Sequence, residues 1–180
     1  MEVGQGVPFG VLDGHDELAA FLVADAGRAA DGLEQAPSAD AAAGVQGTPI
    51  DSFVTQQTVV APFPLGVVAN SSQAAPESLG GERDLIGVMN VGGEFDNLTL
   101  QSGNGHLIFD PTFGAAGTYT AVWDGTDGDG ANLDHDGLGG IDLTAGGVST
   151  FLQMTIGVDK PNGTATFRVY TDQNNWSQAT

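Results

Sequence analysis

Cysteine is absent from the 180 residues. That excludes a disulfide framework and a thiol nucleophile. For a domain working outside the cell it also points to a bacterial rather than a eukaryotic origin. Cations are scarce as well: Lys and Arg together number 4 (Arg28, Arg83, Lys160, Arg168) against 23 acids, a formal charge of −19. With so little to pair with phosphate, such a surface repels nucleic acid and anionic lipid and attracts divalent cations. Only 15% of the residues are charged, so the imbalance comes from missing lysine more than from abundant acid. No apolar run approaches the roughly 20 residues of a membrane span, so no membrane insertion is expected. The opening MEVGQGVPFG has neither the basic nor the apolar region of a signal peptide. The expectation is an exported protein with its targeting ends removed, extracellular or in the cell envelope.

Two textures divide the chain. Residues 1–49 form an extension in which His15 to Leu33 carries helix formers, with Leu18, Phe21, Leu22 and Ala29 as its apolar positions. Asp13 or His15–Asp16 could cap a helix there and Gly32 could end it, so a helix over 15–33 is predicted. The following APSADAAAGVQGTP is small, polar and rich in breakers, and reads as a linker. From Ile50 onward, short β-prone runs alternate with Gly, Asn, Asp and Pro. The predicted strands are 52–60, 66–69, 83–91, 95–101, 106–109, 117–123, 149–157 and 163–171, with a short edge at 175–178. Alternation is clearest where Ala165, Phe167 and Val169 oppose Thr164, Thr166, Arg168 and Tyr170. Gly103-Asn104-Gly105 and Lys160-Pro161-Asn162-Gly163 predict hairpin turns. Strands of this length and spacing predict an all-β domain over 50–180, an antiparallel two-sheet sandwich of jelly-roll type.

The most unusual stretch is WDGTDGDGANLDHDGLGGIDLT, 123–144. It holds six of the seventeen aspartates and six glycines, with no cation. Calcium takes six to eight oxygens, many from carboxylates on a backbone able to wrap. Asp127-Gly-Asp129-Gly and Asp134-His-Asp136-Gly both have spacing suited to that. Asp124, Asp127, Asp129, Asp134 and Asp136 are therefore the predicted ligands, and Asp142 is read as a turn cap. The stretch is no standard EF-hand: with Asn132 at position 1, Leu143 occupies position 12, where the bidentate acid belongs. Nor does it repeat as a calcium-binding β-roll does. His135, alone between two aspartates, is expected to face solvent.

Signs of catalysis are few. No serine sits in a G-x-S-x-G elbow, and His15 and His106 lack a sequence-local partner. Gly80-Gly81-Glu82-Arg83-Asp84 reads as a glycine turn followed by a local ion pair at a strand start. Trp123 is expected in the core at the end of an alternating strand. Tyr170 and Trp176 could stack on a ligand or touch a partner.

Four motifs, Leu79-Gly80-Gly81-Glu82-Arg83-Asp84-Leu85, Trp123-Asp124-Gly125, Gly137-Leu138-Gly139-Gly140-Ile141-Asp142-Leu143-Thr144 and Val169-Tyr170-Thr171-Asp172, resemble, in matching order, those of bacterial exported proteins of the PEP-CTERM sorting type. The likeness covers about residues 50–180, without the sorting tail itself. It implies a β-rich module outside the cytoplasm and carries over no catalytic residue. The expectation is a non-catalytic structural or adhesive sandwich of a surface, matrix or filament, stabilised by calcium. Its partners would be a divalent cation, further copies of itself, or a surface glycan or protein. In the filament version the N-terminal segment adds a strand to a neighbour's sheet. The alternatives are a carbohydrate-binding module and a jelly-roll glycoside hydrolase.

Overall fold

The computed structural model describes residues 49–143 and 164–180, together with the backbone of 7–8, 19–26 and 151–152. Eleven strands are described: β1 Val7–Pro8, β2 Ala19–Ala26, β3 Gln57–Pro62, β4 Val68–Ala74, β5 Glu82–Val91, β6 Asn97–Gly103, β7 His106–Pro111, β8 Ala116–Trp123, β9 Phe151–Leu152, β10 Thr164–Asp172 and β11 Asn175–Ala179. Six of them make one antiparallel sheet in the order β11-β10-β2-β8-β5-β4, and β3-β6-β7 make a second. A short β1-β9 pair stands apart. The two larger sheets pack as a β-sandwich, as the sequence predicted.

The core lies between the sheets because strand periodicity sends alternate side chains there. From the smaller sheet come Val59, Ala61, Leu98 and Leu100, and from the larger Leu85, Met89, Tyr119, Ala121 and Trp123, all buried. Gly87 lets the sheets approach closely, since a Cβ on it would lie 3.3 Å from that of Ala61. The β6–β7 hairpin turns at Asn104-Gly105, both at positive φ (54° and 82°), between the paired Gly103 and His106. This is the two-residue turn that Asn-Gly favours. The hairpin predicted at 160–163 lies outside the described residues, as does the linker.

Residues 15–33 are not a helix where they are described: Ala19–Ala26 is a strand. It pairs with β8 on one side (Leu22↔Ala121) and β10 on the other (Leu22↔Phe167). The expected boundary at 49/50 therefore does not separate two structural units, because the N-terminal segment supplies a strand inside the larger sheet. The physical reason is composition: positions 19–24, AAFLVA, are apolar without interruption. Such a run suits a strand between two neighbours, and over so short a length periodicity cannot distinguish it from a helix. Among the described residues no helix is long and apolar enough to cross a membrane.

Candidate functional site

The start of β5 divides its side chains between two environments. A 3-10 turn, Leu79–Gly81, delivers the chain with Gly80 and Gly81 at φ 76° and 83°, a region that glycine enters without strain. Beyond it Arg83 points into the sandwich, while Glu82 and Asp84 point to the outer face of the larger sheet. Arg83 is fully buried and makes a 2.7 Å ion pair with Asp51. Its remaining donors reach Gln57 Oε1 (3.0 Å), the Thr55 carbonyl (2.8 Å) and Ser102 Oγ (2.7 Å). Asp51 also accepts from Trp123 Nε1 (2.8 Å) and the Phe53 amide (2.6 Å). The glycine turn is therefore as predicted, but the ion pair is long-range, linking β5 to the segment before β3.

On the other face, Asp84 pairs across the sheet with Ser72 of β4 and Val122 of β8. The same register carries Asp124, two residues past Val122, alongside Glu82. The acidic loop then folds back over this face. Its backbone presses on β4 at Gly130, where a Cβ would meet Ser71 and Ser72. Leu138 is buried in the core cluster, and Ile141 and Leu143 pack against that cluster. Glycines allow the closure: a Cβ on Gly137 would collide with the Asp124 carbonyl, and one on Gly125 with the Gly137 backbone. The LGGERDL, WDG and DGLGG motifs, far apart in sequence, thus meet at one end of the sandwich.

The five predicted ligands fall into two groups. Asp129 and Asp134 bind the loop to itself, accepting from Ala131 and Asn132 and from the Asp136 amide respectively. Asp136 is exposed at the loop tip. Asp127 also caps a turn, through the Asp129 amide, yet sits beside Glu82 and Asp84. Asp124, 1% exposed, accepts from the Asp134 amide (2.8 Å). Glu82 Oε1 accepts from the Gly128 amide (2.8 Å), so the strand carboxylate holds the loop as well. Glu82 and Asp84 were missed as site residues. Their signal was an E-x-D pair at a strand start, which places two acids on one face.

Burial, then repulsion from Asp124 and Glu82, push the Asp84 carboxyl up to about 7, with the nearby Ser72 hydroxyl opposing the rise. Burial raises Asp124 too, opposed by the Asp134 amide. Asp84 in the unfolded chain titrates near 3.8, so the folded metal-free protein binds the extra proton between about 3.8 and 7. This contribution to stability is full below that window and is lost as pH rises through it. Urea unfolding in EDTA from pH 4.5 to 8 is expected to show stability falling with pH, and Asp84→Asn is expected to flatten the slope.

A second polar feature lies at the loop tip. His135, half-buried rather than free in solvent, packs edge-on against Tyr170 with ring centroids 4.9 Å apart. Tyr170 in turn lies 6.4 Å from the half-exposed Trp176, over which Arg168 stacks at 5.0 Å. Beside them a depression of about 430 Å³ opens between Asp134–Asp136 and the β10–β11 turn at Asp172–Asn174. No family model, curated protein or solved structure matches the chain.

Proposed function

We propose that the chain is a non-catalytic structural and adhesive β-sandwich module of a bacterial surface, matrix or filament. The observation that carries this reading is an apolar end on the sandwich. Register places Pro62 beside Asn97, Leu98 beside Pro111 and Val91 beside Ala116, so the β3–β4, β5–β6 and β7–β8 loops emerge together. Phe95 and Phe113 on these loops are 93% and 81% exposed, with Phe63, Leu65 and Val91 also open to solvent. Grouped large apolar side chains on an otherwise acidic domain mark a surface that meets a partner. The likeness to bacterial exported proteins supports the location. The sealed carboxylates Asp84 and Asp124 weigh against a glycosidase, whose acids must flank a sugar ring.

Sedimentation velocity over a concentration series, paired with retention on bacterial envelope material, tests the reading. The wild-type chain is expected to self-associate or be retained, and Phe95→Ser with Phe113→Ser to do neither. Both substitutions are at exposed positions and should leave stability within about 0.5 kcal/mol. A chain that stays monomeric and unretained would overturn the proposal. The rival reading, a carbohydrate-binding module, is favoured by the depression beside Tyr170 and Trp176. Binding to purified glycans that Trp176→Ala removes, and that the phenylalanine variant keeps, would establish it instead.

A further inference from the structure

Glu82 and Asp84 at the start of β5 and Asp127 in the acidic loop each bring a carboxylate oxygen to within 4.8 Å of the others. That span is about twice a calcium–oxygen distance of roughly 2.4 Å, the widest separation two ligands of one ion can have. Clustered acids alone would say little. The second observation is that Asp84, 1% exposed, has both carboxylate oxygens buried without a hydrogen-bond partner. Ser72 Oγ and Asp124 Oδ1 are in the same condition. Of the five buried, unpartnered side-chain polar atoms among the described residues, four belong to these three neighbouring residues. Native structures rarely leave such atoms unsatisfied, and a group of them in one place points to a missing partner.

Carboxylates grouped in this way call for a cation as that partner. Arg83, although next in sequence to both strand acids, faces the opposite side and is committed to Asp51. Arg168, the other described cation, is held by Gln178 and Trp176 on β10 and β11. We propose that Glu82, Asp84 and Asp127 form a divalent-cation site that takes calcium, with Asp124 and Ser72 completing its wall. The donors are all hard oxygens, with no imidazole or thiolate in the group. Calcium accepts several carboxylates in irregular geometry, whereas magnesium demands a near-ideal octahedron and keeps most of its water. Bound there, the ion ties the acidic loop to β5 across a chain separation of more than forty residues. It takes up Asp127 and the Asp124 wall from the loop and leaves Asp129, Asp134 and Asp136 to their turns. This site does not depend on the apolar end, and either proposal can fail without the other.

Isothermal titration of the chelator-stripped full chain with calcium chloride and with magnesium chloride tests the site, with thermal melts on the same samples. One calcium per chain is expected, with Tm rising by about 5–10 °C at a hundredfold excess over Kd and a smaller response to magnesium. Asp84→Asn should weaken calcium binding at least 100-fold. Without calcium at neutral pH, the same variant should melt at or above the wild-type temperature, because it removes an uncompensated buried charge. A residue that merely packs would lower that melt instead. Glu82→Gln should also weaken binding, while Asp134→Asn with Asp136→Asn should leave it within a few-fold. Absence of saturable binding, an unchanged titration in folded Asp84→Asn, or loss of binding in the Asp134/Asp136 variant alone would overturn the assignment.

Discussion

Arg83→Ala is expected to cost about 3–5 kcal/mol of folding stability, the usual consequence of removing one partner from a buried ion pair. The size follows from what is left behind. Asp51, 1% exposed at its side chain, would keep its charge inside the protein with only Trp123 Nε1 and the Phe53 amide as donors. Gln57 Oε1 and the Thr55 carbonyl would each lose the arginine as a hydrogen-bond donor. Arg83→Lys should recover little, because an ammonium cannot reproduce the planar fork that serves four acceptors in different directions. Asp51→Asn with Arg83→Met, which removes both charges and keeps volume, should be far less damaging than either single change. Urea denaturation of the two singles and the double closes the cycle. A loss below about 1 kcal/mol for Arg83→Ala would show that the network is solvated and contributes little.

This network also shows where the sequence was legible and where it was not. Strands β5, β8, β10 and β11 follow local rules of alternation and turn chemistry, and each was placed to within a residue or two. The Asn104-Gly105 turn was readable because the conformation it demands is local. Arg83 was readable only as far as its position at a strand start. Its partner lies 32 residues away, and no local pattern couples Asp51 to it. The same holds for the acidic stretch. Its composition led to the expectation of a cation site, but a loop sequence cannot show which carboxylates turn inward and which cap their own turns. Glu82 and Asp84 became candidates only when the loop was seen to fold over their face of the sheet. β2 failed for a different reason: an uninterrupted apolar run carries neither period clearly, and its neighbours in the sheet, β8 and β10, lie about 100 and 145 residues further along the chain.

The closure of that loop yields the second large effect. Gly137→Ala is expected to cost about 2–3 kcal/mol, as forced overpacking does, because its Cβ would occupy the space of the Asp124 carbonyl oxygen. Gly125→Ala should cost more. Its Cβ would strike the Gly137 backbone, and φ at +107° adds a conformational cost of about 1–2 kcal/mol. Neither carbonyl nor backbone can step aside as a flexible side chain would. The strain must therefore be relieved by lifting 134–138 away from β8, which drags Leu138 out of the core cluster. Gly128→Ala separates this contact from loop stiffness in general. Gly128 also has positive φ, 72°, but its Cβ would meet nothing within 4 Å, so only the conformational cost of about 1 kcal/mol should appear. Hydrogen exchange supplies the local readout. The Asp134 amide, which donates to Asp124 Oδ2, should exchange faster in Gly137→Ala and Gly125→Ala and close to the wild-type rate in Gly128→Ala. Equal acceleration in all three would mean that the loop is held by its own turns and not by the strand. The glycines of the WDG and DGLGG motifs would then set loop flexibility, and their close approach would carry no stability.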